Sequence, residues 1–198
     1  MRRAVVVLAL LAACSSSPPT GPEQSSPTPA ESPPATTASS PTPSVDSRIY
    51  DRTCEASVFG NLGRNWKDDS LVVGPIGFVG LPGAVHIGKR ALGVRGDRAL
   101  PQKILAVVER GGPVTVAVAP ASRDVAALIY DPNDFDNGRM ALAQADVSTT
   151  FHPCGADQPR TQFNGALLVL HPTCVRLEIT WGSHHRRVGV PFAGGRCR

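Results

Sequence analysis

The feature that most constrains the fold is a series of short apolar runs that begins near residue 47 and continues to the carboxyl terminus. The runs are rich in Val, Ile, Leu and Thr, and Gly, Pro, Asp or Asn separates each run from the next. This pattern is typical of β-strands that are joined by turns. Only residues 122–127 and 141–145 could be helical, and each segment is long enough for about one turn.

We therefore predict an all-β fold, an antiparallel β-sandwich or barrel of about eight or nine short strands. A long coiled coil is excluded, because the chain has 19 Gly and 19 Pro and only 18% charged residues. Complete disorder is excluded, because 41% hydrophobic residues can build a core. The predicted strands are 53–59, 70–79, 103–109, 114–119, 125–130, 146–152, 162–170, 175–181 and 187–192.

The clearest predicted hairpin spans residues 103–119, where an Arg-Gly-Gly sequence at 110–112 separates two apolar runs. Glycine supplies the positive φ angles that a tight loop needs, and Pro113 can start the second strand. The valines at alternate positions from 114 to 118 then share one face of that strand. The pattern therefore predicts that these two strands pair with each other.

Four cysteines lie in the predicted β domain: Cys54, Cys154, Cys174 and Cys197. In an exported domain they imply two disulfides, for which three pairings exist. We predict that the last three strands form a second meander, which carries Cys174 and Cys197 to one end of the sheet and Cys154 to the other. Because a disulfide needs Cα atoms within about 7 Å, we favour Cys174 with Cys197 and, by elimination, Cys54 with Cys154.

The first 13 residues have the layout of a secretion signal. A positive Arg2-Arg3 pair precedes ten apolar residues, a run too short to span a bilayer but suited to a signal-peptide core. The following sequence, Leu-Ala-Ala and then Cys14, resembles the lipobox of bacterial lipoproteins. The resemblance implies cleavage before Cys14, diacylation of its thiol, and a membrane-lipid anchor on the outer face of the bacterial cytoplasmic membrane. The alternative is an ordinary secretory signal that contains a cysteine.

Residues 14–46 are predicted to be the lipidated cysteine and a disordered linker. Of the 32 residues from 15 to 46, 23 are Pro, Ser or Thr, and no apolar periodicity is present. Such a segment cannot bury enough surface to offset the entropy lost on ordering, and its prolines favour extended polyproline II. The predicted chain organisation is thus a signal peptide at 1–13, a tether at 14–46 and an extracytoplasmic all-β domain at 47–198.

The charge pattern argues against a nucleic-acid partner. Residues 47–198 contain 18 Lys and Arg against 13 Asp and Glu, and the positive residues are scattered along the chain. Aromatic residues make up only 5% of the sequence, too few for a platform on which bases stack. We expect no nucleic acid to bind.

Two motifs could hold a metal, and we predict that neither does. His152 and Cys154 together with His171 and Cys174 offer a zinc set, but the predicted meander separates the two halves and exported thiols tend to be oxidised. Residues 131–138 form an acidic loop that departs from the calcium-binding EF-hand pattern and suits a turn. Motifs for nucleotides and other cofactors are also missing from the sequence, so we predict no cofactor.

Three segments resemble a group of secreted actinobacterial proteins of unknown function. They are Thr-Gln-Phe-Asn-Gly at 161–165, Cys-Val-Arg-Leu-Glu at 174–178 and Val-Pro-Phe-Ala-Gly-Gly-Arg-Cys at 190–197. The resemblance covers most of residues 50–198, and its motifs are strands, turns and cysteines. It implies an exported all-β domain and carries no particular activity.

Two classes of function remain open from the sequence. The first is a non-catalytic surface lipoprotein whose β domain binds an unknown protein or glycan partner at the cell surface. The alternative is a cell-wall-associated enzyme whose carboxylates are dispersed in sequence and meet in space. The candidate carboxylates of that enzyme are Asp68, Asp69, Asp131, Asp134 and Asp136. A concave pocket holding two carboxylates about 5–10 Å apart would favour the enzyme.

Overall fold

The computed structural model describes residues 48–134, 138–155 and 157–198. The predicted signal peptide 1–13, Cys14 and the linker 14–46 lie outside the described residues. Twelve strands are present over the described ranges: β1 Ile49–Arg52, β2 Ser70–Val73, β3 Ile76–Val79, β4 Arg98–Ala99, β5 Gln102–Glu109, β6 Val114–Val118, β7 Ala126–Ile129, β8 Met140–Ala141, β9 Ser148–Phe151, β10 Arg160–Val169, β11 Thr173–Trp181 and β12 His184–Phe192. Short 3₁₀-helices occupy Cys54–Ala56, Leu81–His86, Lys89–Leu92, Pro120–Ser122 and Leu142–Gln144.

The strands form two five-stranded sheets and one two-stranded sheet. The first sheet, which we call sheet A, has the order β1-β9-β6-β11-β12, and sheet B has the order β2-β3-β5-β10-β7. Strands β4 and β8 form the third, small sheet. Pairing within the sheets is antiparallel except between β1 and β9, which run parallel. The structure thus confirms an all-β, disulfide-tied sandwich, and its two main sheets are open rather than closed into a barrel.

The main core lies between sheets A and B. Val114, Val116 and Val118 of β6 are fully buried, and the two residues between them are less buried, which confirms the predicted alternation on this strand. The same cluster continues into sheet B through Ile76, Phe78, Ala106, Val108, Phe163, Leu167 and Val169. Burial of these apolar faces is the main source of stability of the fold.

Sheet B is also covered on its outer side along β7 and β10. All four residues of β7 are buried, because a second apolar cluster joins the outer faces of β7 and β10 to Ala99, Met140 and Ala145. The sequence prediction of possible one-turn helices at 122–127 and 141–145 is partly wrong. The first segment leaves a 3₁₀-helix at Ser122 and enters β7 at Ala126, whereas the second contains the 3₁₀-helix Leu142–Gln144.

The predicted hairpin between residues 103–109 and 114–119 is wrong. Strand β5 pairs with β3 and β10 in sheet B, whereas β6 pairs with β9 and β11 in sheet A. The backbone N–H of Arg110 donates to Pro159 O at 3.0 Å, so the chain stays beside the β10 side of sheet B at the point where a hairpin would turn back. The connection then crosses between sheets, which lets the apolar faces of both strands enter one core.

The predicted meander of the last three strands is half correct. Strands β11 and β12 form an antiparallel hairpin in sheet A around Gly182, which has a φ of 51°. Strand β12 begins at His184, three residues before the predicted start. Strand β10, however, belongs to sheet B, where β5 and β7 flank it. Strand β10 packs Phe163 and Leu167 into the main core and Ala166 and Leu168 into the outer cluster, and sheet B provides a packed surface on both of its faces.

Two further strand boundaries differ from the prediction. The strand predicted at 53–59 lies earlier, at Ile49–Arg52, because the chain turns through a 3₁₀-helix that carries Cys54 to Cys154. The strand predicted at 70–79 is a β2–β3 hairpin that turns at Gly74, where φ is 55°. A side chain at that position would also overlap the Trp181 ring, so both the positive φ and the close approach of this ring favour glycine there.

Both disulfides have the pairing that the sequence favoured. Cys54 and Cys154 join the segment after β1 to the segment after β9, with their Cα atoms 4.9 Å apart. Cys174 of β11 is bonded to Cys197, with Cα atoms 5.0 Å apart, and this bond ties the chain end to the first part of the β11–β12 hairpin. The pairing holds although part of the meander from which it was inferred does not form, because Cys174 and Cys197 still meet at one end of the hairpin.

Gly165 of β10 provides a test of packing beneath β7. A Cβ atom at this position would overlap the ring of Tyr130, which is almost fully buried. We expect Gly165→Ala to lower the free energy of unfolding by about 1–3 kcal/mol or more, since an overpacked core must shift its backbone. The matched control is Gly112→Ala, where a Cβ meets no atom within 4 Å. Urea unfolding of both variants measures the difference, and equal stabilities would contradict the described packing of Tyr130.

Candidate binding cleft

A cleft of about 380 Å³ lies where β1 ends, and we call it the Arg52 cleft. Its lining comes from three parts of the chain that are distant in sequence. They are the end of β1 with the 3₁₀-helix and the two residues after it, the start of the acidic loop, and β10. The lining residues are Arg52, Glu55, Ala56, Ser57, Val58, Pro132 and Asn164.

The segment that forms one wall of the cleft is held by covalent and backbone bonds. The Cys54–Cys154 disulfide joins its first turn to the segment after β9. The backbone N–H of Ser57 donates to Cys54 O at 3.0 Å, and that of Val58 donates to Gln162 O at 2.8 Å. The wall is therefore attached both to the segment after β9 and to β10, which favours a cleft formed before a ligand arrives.

Arg52 is the most unusual side chain in the cleft. It is only 3% exposed, and its Nη1 donates to the backbone carbonyl oxygen of Tyr130 at 2.6 Å. The guanidinium carbon lies 5.9 Å from the centre of the Phe163 ring, within the range of a cation–π contact. Its Nε is buried and has no hydrogen-bond partner among the described residues.

Burial and neighbouring side chains have opposite effects on the guanidinium of Arg52. Burial lowers the pKa of its guanidinium. Tyr50 raises this pKa through its charge and a side-chain hydrogen bond, and the charge of the nearby Asp131 raises it as well. Arginine starts from so high a pKa that the group remains a cation. Its side chain is absent from the ion pairs formed by the described residues, which are Lys67–Glu109, His152–Asp51 and Arg187–Glu178.

Tyr130 supports the cleft from the core side. Its ring makes an edge-to-face contact with Phe151, with centroids 4.8 Å apart, and it packs against the backbone of Gly165. Burial raises the pKa of the Tyr130 phenol, so the hydroxyl stays protonated in the core. The residue thus positions Arg52 through its backbone carbonyl while its ring anchors the end of β7 in the core.

The structure brings only some of the candidate carboxylates together. Asp131 and Asp134 lie in the acidic loop after β7, and the charges of both act on Asp146, which the sequence analysis did not single out. Asp136 lies outside the described residues. Asp68 and Asp69 precede β2, at the opposite edge of sheet B from β7. Four strand spacings of about 4.8 Å put roughly 20 Å of sheet between the two groups.

Asp146 is the most perturbed of these carboxyl groups. Burial raises its pKa to about 7, the charges of Asp131 and Asp134 add to the shift, and Arg48 opposes it. Asp146 reaches this place through a pair of backbone hydrogen bonds with Leu128, each 2.8 Å long. No spacing rule in the sequence connects it with Asp131, because the contact arises from a bridge between distant segments.

The two motifs considered for metals serve local structure. Asp131 Oδ1 accepts hydrogen bonds from the backbone and side-chain nitrogens of Asn133, at 2.9 and 3.0 Å, which is an Asx turn. Cys154 and Cys174 belong to different disulfides and therefore offer no thiolate to zinc. Groups of three or more His, Cys, Asp or Glu side chains suited to a metal are absent from the described residues.

The chain matches no family model, no curated protein and no solved structure. The resemblance to secreted actinobacterial proteins stays a prediction. Within the ranges that the structure describes, none of the helices is long and apolar enough to cross a bilayer.

Asp146 predicts a specific pH dependence of stability. Its pKa is about 7 in the folded protein and about 4 in the unfolded chain, so the folded state retains a proton that the unfolded state loses. Its contribution to the free energy of unfolding therefore falls as the pH rises from about 4 to 7 and is level above that range. We expect Asp146→Asn to be more stable than the wild type at pH 8 and equal to it near pH 4.

Urea unfolding of both proteins at the two pH values measures this difference. The exposed Asp124→Asn substitution is the matched control for the loss of one negative charge. A loss of stability in Asp146→Asn at pH 8 would show that attraction to Arg48 outweighs burial and repulsion by Asp131 and Asp134.

Proposed function

We propose that this protein is a membrane-anchored surface lipoprotein whose β-sandwich is a non-catalytic binding module. Acylated Cys14 anchors it to the outer face of the bacterial cytoplasmic membrane, and the partner is a protein or glycan of the cell envelope. Support for export comes from the lipobox-like sequence before Cys14 and from the two disulfides of the β domain. Support for binding comes from the Arg52 cleft.

One observation carries the choice of binding over catalysis. Glu55 is the single carboxylate among the residues lining the Arg52 cleft, and it is exposed at the rim. Hydrolysis by paired carboxylates needs two such groups flanking one ligand, about 5–10 Å apart. A cleft with one cation, one rim carboxylate, a hydroxyl and an amide suits recognition of a ligand more than acid–base chemistry upon it.

The linker fits the proposed arrangement. Residues 15–46 could reach about 100 Å as an extended polyproline II segment, or about 30 Å as a flexible coil. A lipid anchor followed by such a tether would hold the β domain away from the membrane surface and let it search the envelope. Two acyl chains at one cysteine are enough for stable membrane attachment, whereas one chain holds weakly.

A cell-wall enzyme remains a second candidate because of Asp146. A carboxyl group with a pKa of about 7 beside two further carboxyl groups is the kind of group that donates a proton in hydrolysis. The measurement that separates the two functions is release of soluble fragments from purified cell-wall material. Release that Asp146→Asn abolishes would replace the binding proposal with the enzyme.

Removal of the anchor tests the localisation. We expect Cys14→Ala to move the protein from the membrane fraction to the soluble fraction, because the thiol that carries the lipid is lost. Inhibition of the lipoprotein signal peptidase with globomycin should increase the mass of the wild type by the retained signal peptide. An unchanged mass under globomycin together with a soluble wild-type protein would contradict the lipoprotein assignment.

Site-directed photo-crosslinking in intact cells tests the binding role of the cleft. We expect a crosslinker at Asn164, which lines the cleft and is exposed, to capture an envelope component. The matched control is Asn61, which is exposed and does not belong to the cleft lining. Identical adducts from both positions, or none from either, would contradict recognition through this cleft.

A further inference from the structure

Strand β12 lies at one side of sheet A, and the first half of its outer edge is uncovered. Within the described ranges, β11 is the one strand that pairs with it. The chain just past β12 is held against a 3₁₀-helix, because the backbone N–H of Ala193 donates to Ala84 O at 2.9 Å. No such cover is present over residues 184–188, which we call the β12 edge, in the part of the chain that the structure describes. Backbone groups that point away from β11 are therefore open to another strand there.

The β12 edge is positively charged. It carries the sequence His-His-Arg-Arg at 184–187, and all four of these residues are exposed. Arg187 is paired with Glu178 across the β11–β12 hairpin, whereas Arg186 belongs to none of the ion pairs among the described residues. A partner that carries carboxylates therefore complements the charge of this edge.

A second copy of this chain does not fit the β12 edge. Antiparallel pairing of two such edges about a two-fold axis places Arg186 of one copy opposite Arg186 of the other, and His185 opposite Arg187. Like charges directly opposite each other destabilise a strand pair, and cations on an edge strand commonly protect it against self-association. The charges thus oppose self-pairing and favour a strand of opposite charge.

We propose that the β12 edge binds an extended acidic segment of another protein, which adds to sheet A as a sixth strand. The inference names a second binding surface and depends on neither the Arg52 cleft nor the lipid anchor. Backbone N–H and C=O groups repeat along a strand edge at the spacing of another strand, whereas a glycan lacks this repeat. Backbone hydrogen bonds supply the affinity, and carboxylates opposite Arg186 and Arg187 supply the specificity.

A small apolar pocket next to the β12 edge favours an apolar residue in the added strand. The pocket has a volume of about 100 Å³ and lies between β2 and β12. Its lining residues are Leu71, Leu81, Pro82, Gly189, Val190 and Pro191. An antiparallel partner, the more stable arrangement per residue, reaches Val190 with the residues that precede its acids. We therefore expect the acidic segment to begin with a small apolar residue such as valine, whose burial adds to the affinity.

The test uses the purified full-length chain with both disulfides formed and acetyl-Val-Thr-Val-Glu-Glu-Thr-Thr-amide as the probe. In the antiparallel register this peptide places its glutamates opposite Arg187 and Arg186 and its first valine opposite Val190. We expect fluorescence anisotropy of the labelled probe to show binding, and amide hydrogen exchange at residues 184–188 to slow because free N–H groups become bonded. Absence of binding, or unchanged exchange at these residues, would overturn the proposal.

Methylation of the probe's own amides separates strand addition from attraction between charges. Alternate N–H groups of a strand point to opposite sides, so only one alternate set can face β12. We expect the peptide methylated at one set to lose binding and the peptide methylated at the other set to retain it. Equal affinities of the two methylated peptides would show that charge alone holds the probe, as for an anionic glycan, and would contradict strand addition.

Reversal of one charge on each side tests the acidic character of the partner. Arg186→Glu should weaken binding of the probe several-fold, because an attractive cross-strand pair becomes a repulsive one. A probe with lysine in place of its second glutamate should show the reverse preference and bind Arg186→Glu more tightly than the wild type. The matched control is Arg95→Glu, an exposed residue outside sheet A, which should leave both affinities unchanged. Equal effects of the two substitutions would remove the assigned role of Arg186.

A peptide with the sequence of β12 itself, His-His-Arg-Arg-Val-Gly-Val, tests the second copy as an occupant. We expect it not to bind, and binding as tight as that of the acidic probe would assign the β12 edge to self-association instead. Failure of this inference is distinguishable from failure of the proposed function. Crosslinking from Asn164 reports on the Arg52 cleft, whereas the peptide and exchange measurements report on the β12 edge.

Discussion

The structure depends on burying the apolar faces of two sheets against each other. Strands β6 and β11 bring fully buried valine, leucine and isoleucine side chains from sheet A, and β5 and β10 bring theirs from sheet B. Consecutive strands therefore cross between sheets at β5–β6 and at β10–β11. Because loops that cross a sandwich gather at its ends, segments distant in sequence become neighbours there. The Arg52 cleft is formed by such neighbours, from β1, the loop after β7 and β10.

Local periodicity predicted the strands better than it predicted their partners. Alternation along β6 identified its buried valine face correctly, since the two-residue period depends only on the strand itself. The Arg-Gly-Gly sequence at 110–112 predicted a hairpin that does not form, because a glycine-rich turn permits both a hairpin and a crossing between sheets. The hairpin does not form because β10, about 50 residues further along the chain, pairs with β5 in the position that β6 would need.

The candidate site was predictable only in part, because its residues come from segments that are distant in sequence and local patterns do not show which segments meet. Asp131 and Asp134 are close in sequence, which makes their loop recognisable as acidic, but the sequence does not show that sheet B separates them from Asp68 and Asp69. Arg52 is the last residue of a four-residue strand, and no sequence pattern around it distinguishes it from an arginine that is exposed to solvent. Its hydrogen bond to Tyr130 and its contact with Phe163 join it to residues that are far away along the chain.

A buried arginine also explains why this end of the sandwich needs its covalent tie. Removing a guanidinium from water opposes folding, and a loop that was free to move would let water reach the group and lower this desolvation cost. The Cys54–Cys154 disulfide and the Val58–Gln162 bridge fix the segment that lines the cleft next to Arg52. Proteins commonly depart from complete polar satisfaction where they recognise a ligand. Among the described residues two buried side-chain atoms lack a hydrogen-bond partner, Thr149 Oγ1 and Arg52 Nε, and of these two residues Arg52 is the one that lines the cleft.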